Sequence, residues 1–311
     1  MLTIMLEVYR KNARVPQKQP DFYMYAFSVL YQQHDARKDV FRREILSKLE
    51  FLDFQNLFAY LSYHSYFGIN SDEFTQQELL TIIRNAKEDK IIDDPVDEDK
   101  FLRDLIDSVC VLTQDDIKYR FIHRSFQQFY AAQYTSLYDE NMNKTEKKFV
   151  QMHFGSSSIY IDSLYRITKT RFYYNVLYPG WCEIKEIAKN CNDSHLGLLL
   201  KIYSSVSVTG LNNSGYKLNP KNVYLHFILT YSCKVLKHAK PRRTALQTDF
   251  AKEIAARYSS QRFVTFSLLE SEIDNIWDRF ISTLSWLYDE FDFLLKNIDL
   301  YEARLKMRHI I

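Results

Sequence analysis

The sequence predicts a mainly α-helical protein: a helical segment, a domain of three helices and a β-hairpin, and an α-helical C-terminal domain. Three observations carry that expectation. Only 6 Gly and 6 Pro occur in 311 residues, too few for a turn-rich β architecture. Apolar residues recur three and four apart over most of the chain, as in amphipathic helices. The main exception is Ile117 to Ile122, where polar and apolar residues alternate as in a strand. The length leaves room for two domains or one large one, and aromatic residues at 15% supply core throughout.

Taken in order, Leu2 to Lys11 reads as a short amphipathic helix. Its core-type apolar run starts at residue 2 with no preceding cap, as expected of a chain cut or restarted inside a domain. Pro16 and Pro20 bracket a loop, Asp21 can cap a helix to about Gln33, and a third helix is expected from Lys38 to Glu50. Residues 1–50 thus form a helical segment. Phe54 to Phe67 is apolar and aromatic enough for a buried helix ending near Gly68. Thr75-Gln-Gln-Glu78 is a capping box opening a helix to about Asp89, with Leu79, Ile82 and Ile83 inward. After the acidic 93–99 run, Phe101, Leu102, Leu105 and Ile106 form the apolar face of the next helix. Val109 to Leu112 is expected as the first hairpin strand, Thr113 to Asp116 as its turn, and Ile117 to Ile122 as the second strand. Three helices and then a hairpin is the order of a winged helix, and 54–138 are its expected bounds.

From Phe126 the period becomes helical, with Phe129, Tyr130, Gln133, Tyr134 and Leu137 on the same stripe. Ser125 and Gln128 stand three apart, which makes Ser125 the expected N-cap and Gln128 its capping-box partner. The polar 138–148 stretch marks a boundary. Residues 145–311 are expected as a helical sensor or effector-side domain, with helices near 145–153, 157–169, 181–190, 194–204, 223–236 and 245–258. Ser204 to Pro220 reads as a Ser/Asn/Gly loop, Lys237 to Arg243 as a basic loop, and Leu268 to Met307 as a long amphipathic segment. No period of 20–50 residues repeats.

Charge and motif content exclude several functions. Lys and Arg number 41 against 39 Asp and Glu, so no global field draws the chain to nucleic acid or a membrane. The expected third winged-helix helix carries Asp97, Glu98, Asp99, Asp104 and Asp107 against Lys100 and Arg103, the wrong balance for facing phosphates. Cys110, Cys182, Cys191 and Cys233 form no CxxC pair and no zinc spacing; reduced cytosolic thiols are expected. No apolar run reaches membrane-spanning length, and Glu7 interrupts the N-terminal apolar run, so a soluble cytoplasmic protein is expected. Gly210-Leu-Asn-Asn-Ser-Gly-Tyr-Lys217 imitates a phosphate loop, but Tyr216 separates the second Gly from the Lys and Leu218 stands where Mg²⁺ needs a hydroxyl. No metal-ligand spacing occurs among the eight histidines. No catalytic residues are expected, and the chain alone is not expected to be an enzyme.

His123 is the residue singled out for function. It falls between a strand and a helix start, where free backbone N–H groups and the dipole favour an anion, and its imidazole could donate to a phosphate. The competing interpretation is a histidine that caps the helix and binds no ligand. Arg124 reads as surface charge. A His-x-Ser nucleophile is not expected, since nothing marks an orienting carboxylate or an oxyanion hole.

Phe121-Ile-His-Arg-Ser-Phe-Gln-Gln-Phe-Tyr-Ala-Ala132 resembles the F-x-H-R-S-F-Q-E-Y-F-A-A signature that closes the winged-helix domain of NACHT-type STAND NTPases. Gln128 departs from the usual Glu. Upstream, Leu2 to Tyr9, Val15-Pro16 and Tyr31 to Lys38 resemble the segment after that family's nucleotide-binding core, so the resemblance covers residues 1–138. It implies the non-catalytic C-terminal portion of a bacterial NTPase acting as a nucleotide-dependent switch in antiviral defence. By resemblance His123 reaches the β-phosphate of bound ADP. ADP or ATP with Mg is implied for the full-length protein and no cofactor for this chain alone. Partners implied are the nucleotide-binding core of the same or a split protein, further copies on activation, and a phage or host trigger. A stand-alone helical interaction module is the alternative, with a nucleic-acid-binding winged helix behind it.

Overall fold

The computed structural model describes residues 9, 19–32, 45–69, 71–92, 96–138, 159–191, 195–209, 215–235, 263–267, 292–293 and 296. The protein is mainly helical, with two small antiparallel sheets. It divides into two compact units, Met1–Met142 with Gly155–Phe172, and Asn143–Phe154 with Tyr173–Ile311.

In the first unit, helix α1 spans Gln19–Gln32 and helix α2 spans Phe51–Gly68. Apolar and aromatic side chains surround α2, which therefore runs buried through the core rather than along its surface. The described end of the helix expected over Lys38 to Glu50 is instead a turn at 45–50, with Lys48 at φ 56°. Strand β1 (Phe74–Thr75) leads into helix α3 (Gln76–Glu88). The capping box forms as expected: Glu78 N–H donates to Thr75 Oγ1 at 3.3 Å and Thr75 N–H to Glu78 Oε2 at 2.7 Å.

Helix α4 (Glu98–Arg103), capped by Asp97, passes into a π-helical turn, Asp104–Ser108. This turn displaces the first hairpin strand from its expected place at Val109 to Leu112. Val109 N–H still reaches Asp104 O at 2.7 Å and Val111 N–H reaches Leu105 O at 2.9 Å, so both valines are buried against the helix end. Strand β2 is Leu112–Asp115, and strand β3 is Lys118–Phe121. The turn is correspondingly shorter than Thr113 to Asp116: Asp115 pairs with Lys118, and Asp116 takes φ 55° between them. The sheet order is β1-β3-β2, so helix, strand, helix, helix and two strands follow one another as in a winged helix.

Helix α5 (Arg124–Tyr138) packs on α2 through aromatic rings. Phe58 and Phe27 each lie 4.9 Å from Tyr130 and 5.0 Å from one another. Helices α6 (Ile159–Ile167) and α7 (Lys169–Phe172) complete the unit. The first unit thus includes residues beyond the polar 138–148 stretch, within which one of its divisions from the second unit falls, between Met142 and Asn143. Tyr160 OH meets Thr135 Oγ1 at 2.8 Å, and its ring sits 5.2 Å from Phe67, which ties α6 to α2 and α5.

Asp104 is fully buried, and its carboxylate accepts from Leu46 N–H and Ser47 N–H, both at 2.8 Å. This clasp binds the 45–50 turn to the π-helical turn and turns one of the acids counted against DNA binding inward.

The described residues of the second unit open with another π-helical turn, Tyr173–Leu177, followed by helix α8 (Tyr178–Asn190) and helix α9 (His195–Ile202). The Ser204 to Pro220 stretch, expected as a loop, forms strands β4 (Tyr203–Thr209) and β5 (Gly215–Pro220). Alternation explains the difference: Val206 pairs with Leu218 and Val208 with Tyr216, between Ser and Lys positions. Strand β6 (Phe263–Ser267) pairs with the other edge of β4, giving the order β5-β4-β6 in a unit expected to be all helical. Helix α10 (Val223–Val235) lies between β5 and β6 in sequence and is capped by Asn222, whose Oδ1 accepts from Leu225 N–H at 3.0 Å. Trp181 Nε1 donates to Ser232 Oγ at 2.8 Å, and Gly180 allows close approach of α8 to Ile228. The helices expected near 145–153 and 245–258, the Lys237 to Arg243 loop and nearly all of 268–307 fall outside the described residues.

Replacing Asp104 with Ala leaves two partly buried N–H groups unpaired and should cost about 2–3 kcal/mol, read by urea unfolding followed by circular dichroism. An unchanged midpoint would count against the clasp. A Cβ at Gly180 would stand 2.5 Å from Ile228 Cγ1, so Gly180→Ala should cost about 1–3 kcal/mol. The cost should be largely absent when the same change is made in an Ile228→Ala background.

Candidate functional site

The site lies where the wing hands the chain to α5. Strand β3 ends at Phe121, Ile122 N–H donates back to Val111 O at 3.0 Å, and α5 begins two residues later at Arg124. His123 is thus the residue immediately before the helix, and its ring is half-buried. Its Nδ1 lies 3.2 Å from Ser125 N and 2.5 Å from Ser125 Oγ, while its carbonyl accepts from Phe126 N–H at 2.9 Å. The histidine itself caps the helix. Its Nε2 makes no hydrogen bond among the described residues. Burial pushes the imidazole below the usual histidine range.

Ser125 and Gln128 do not form the expected capping box. The helix starts two residues earlier than a Ser125 cap implies, at Arg124, and the imidazole takes the Ser125 N–H that the Gln128 side chain would have accepted in a capping box. Ser125 is inside the first turn, buried, and binds the histidine. Gln128 is also buried, and its Oε1 accepts from Ile159 N–H at 3.2 Å at the start of α6. Arg124 pairs with Asp72 at 2.9 Å, and Arg120 with Asp115 at 2.9 Å, so the neighbouring cations already have carboxylate partners. The polar groups offered at this junction are therefore the ring Nε2 and the helix N-terminus.

A second histidine escaped the sequence reading. His64 on α2 lies among Tyr60, Tyr63 and Tyr134, with ring centroids at 4.1, 5.1 and 5.8 Å. Its Nε2 is buried without a hydrogen-bond partner. Burial lowers its pKa, and the Asp89 carboxylate partly opposes that shift. Asp89 accepts from Tyr60 OH at 2.6 Å, and burial together with this bond raises the Tyr60 pKa. His64, Ile69, Thr75, Glu78 and Ile82 border an open cleft of about 500 Å³ beside the start of α3. The only signal in the sequence was a histidine on an otherwise aromatic helix. No cluster of His, Cys, Asp and Glu suited to a metal occurs among the described residues, and no described helix is long and apolar enough to cross a membrane.

No family model, curated protein or solved structure matches the chain.

Both imidazoles have folded pKa values below the ordinary 6.5, so the unfolded chain binds more protons as acid is added. Stability should be full above about pH 6.5 and fall as the pH drops below it. Chemical unfolding at pH 7.5 and 5.5 (about one unit either side) should show that loss, and His64→Phe should shrink it. An identical acid sensitivity in the variant would mean that His64 does not contribute.

Proposed function

We propose that this chain is the non-catalytic, regulatory portion of a NACHT-type STAND NTPase. In this reading His123 binds a phosphate of ADP held by the nucleotide-binding core and keeps the protein closed. The observation that supports it is the position of His123: it ends the wing, begins α5, and keeps one ring nitrogen unengaged at the helix N-terminus. A neutral imidazole donor beside a helix N-terminus suits a phosphate oxygen. The neighbouring guanidinium, committed to Asp72, adds little charge.

Residues 1–50 would be the helical lid and 54–138 the winged helix of such a protein, and the C-terminal unit its sensor or effector side. Nucleotide chemistry with Mg would belong to the core, and this chain would add the contact that reports which nucleotide is bound. Loss of the contact would favour an open form that associates with further copies. A role in antiviral defence, with a phage or host trigger, follows the resemblance of 121–132. DNA reading is less favoured, because α4 is short and the surface acids on it and beside it, Asp97, Glu98, Asp99 and Asp107, outnumber Lys100 and Arg103.

One hydrogen bond to a charged group is worth about 1.5–3 kcal/mol, a shift of roughly ten- to a hundredfold in a two-state equilibrium. In a protein that includes the nucleotide core, His123→Ala should raise the oligomeric fraction in ADP by that order, measured by size-exclusion chromatography with light scattering. A variant that stays monomeric and closed like the wild type would overturn the latch.

A further inference from the structure

We propose that Ser125 is the positioning residue of the His123 site: its backbone N–H and its hydroxyl both donate to Nδ1 and hold the imidazole in the tautomer with its proton on Nε2. The inference rests on the phosphate-contact reading for its purpose, but its geometry stands independently of any nucleotide. A backbone N–H is only a donor, so the 3.2 Å contact from Ser125 N requires a bare Nδ1. With Nδ1 bare, the hydroxyl 2.5 Å away is also the donor. The single proton of the neutral ring must then sit on Nε2. Ser125 is 2% exposed, so its hydroxyl is shielded from solvent, and a proton on Nδ1 would face the backbone N–H of Ser125, which can only donate.

The consequence bears on the ligand. With Nε2 protonated, the remaining polar atom of the ring is a donor and attracts a phosphate oxygen. In the other tautomer Nε2 would carry a lone pair and repel it. Ser125 thereby selects a hydrogen-bond acceptor, such as a phosphate oxygen, without touching it, as a partner on one ring nitrogen determines what the other can bind.

The test is nitrogen NMR of the full chain with isotope-labelled histidine, using His123→Gln to identify the His123 signals. The wild type should show a single tautomer protonated at Nε2. Ser125→Ala keeps only the longer backbone contact, so its two ring-nitrogen shifts should move toward one another as a second tautomer populates. Ser125→Thr, which retains the hydroxyl, should show the wild-type pattern. A wild-type ring protonated at Nδ1, or unchanged shifts in Ser125→Ala with its helical circular dichroism intact, would overturn the proposal. Should Ser125→Ala lose its helix signal, the proposal stands only if Ser125→Thr keeps the wild-type tautomer. No nucleotide is needed, so a failed ADP latch would leave this result untouched, and a failed lock would leave the His123→Ala experiment to be judged by itself.

Discussion

The contact between α2 and α5 is the constraint from which the first unit takes its shape. Tyr130 lies within 4.9 Å of both Phe27 and Phe58, and Phe54 lies 4.8 Å from Phe101, so rings from four helices meet in one layer. Each such pair contributes about 0.5–1.5 kcal/mol beyond the area it buries. The one polar atom that this layer imports, the Tyr130 hydroxyl, is satisfied by Gln55 Nε2 at 3.2 Å. Burial pushes the ionisation of that phenol far upward, so the layer stays neutral. A helix fixed along its length in this way presents its first turn in one orientation. That is the property a contact at His123 requires.

The wing is aimed by two irregular features. The π-helical turn at Asp104–Ser108 places one extra residue in the helix, and Cys110 at φ 55° then redirects the chain into β2. A buried carboxylate would be costly there without partners, and Asp104 finds them in two backbone N–H groups of the 45–50 turn and in Ser108 Oγ at 3.3 Å. The same group thus stabilises the π-turn and anchors the segment ahead of α2. Residues near 46 and near 104 are coupled through hydrogen bonds in addition to the apolar core that Leu49, Leu102 and Leu105 share. Such a joint is directional and tolerates little displacement.

What could be read in the sequence depended on whether the signal was local. The Thr75–Glu78 capping box, the buried helix from Phe54 and the helical stripe after Phe126 are local patterns, and each forms. Strand β1 is two residues long and exists only because Phe74 pairs with Tyr119, a partner far along the chain. The π-turn depends on what Asp104 binds at residue 46, which no window around 104 contains. In the second unit the Val/Ser alternation of β4 was present but was hidden by its Ser-rich composition. At the site, position was legible and division of labour was not. The cap expected of Ser125 passes to His123, for which capping was the competing interpretation, because Ser is the commoner cap and a sequence does not say which side chain reaches the free donor first.

That transfer of the cap bears on the function. A histidine is a poor choice if capping is all that is required, since Ser, Thr, Asp and Asn accept from the first-turn N–H groups with fewer atoms to order and no second polar nitrogen to satisfy. Here a serine stands two residues away, yet the ring takes the cap and the serine serves the ring. The arrangement spends Nδ1 on structure and leaves Nε2 without a partner among the described residues, half-shielded from water, at the positive end of a helix. Capping and ligand binding are therefore not rival accounts of this residue. The cap is what holds the ring still, and the surplus nitrogen is what a cap alone does not explain.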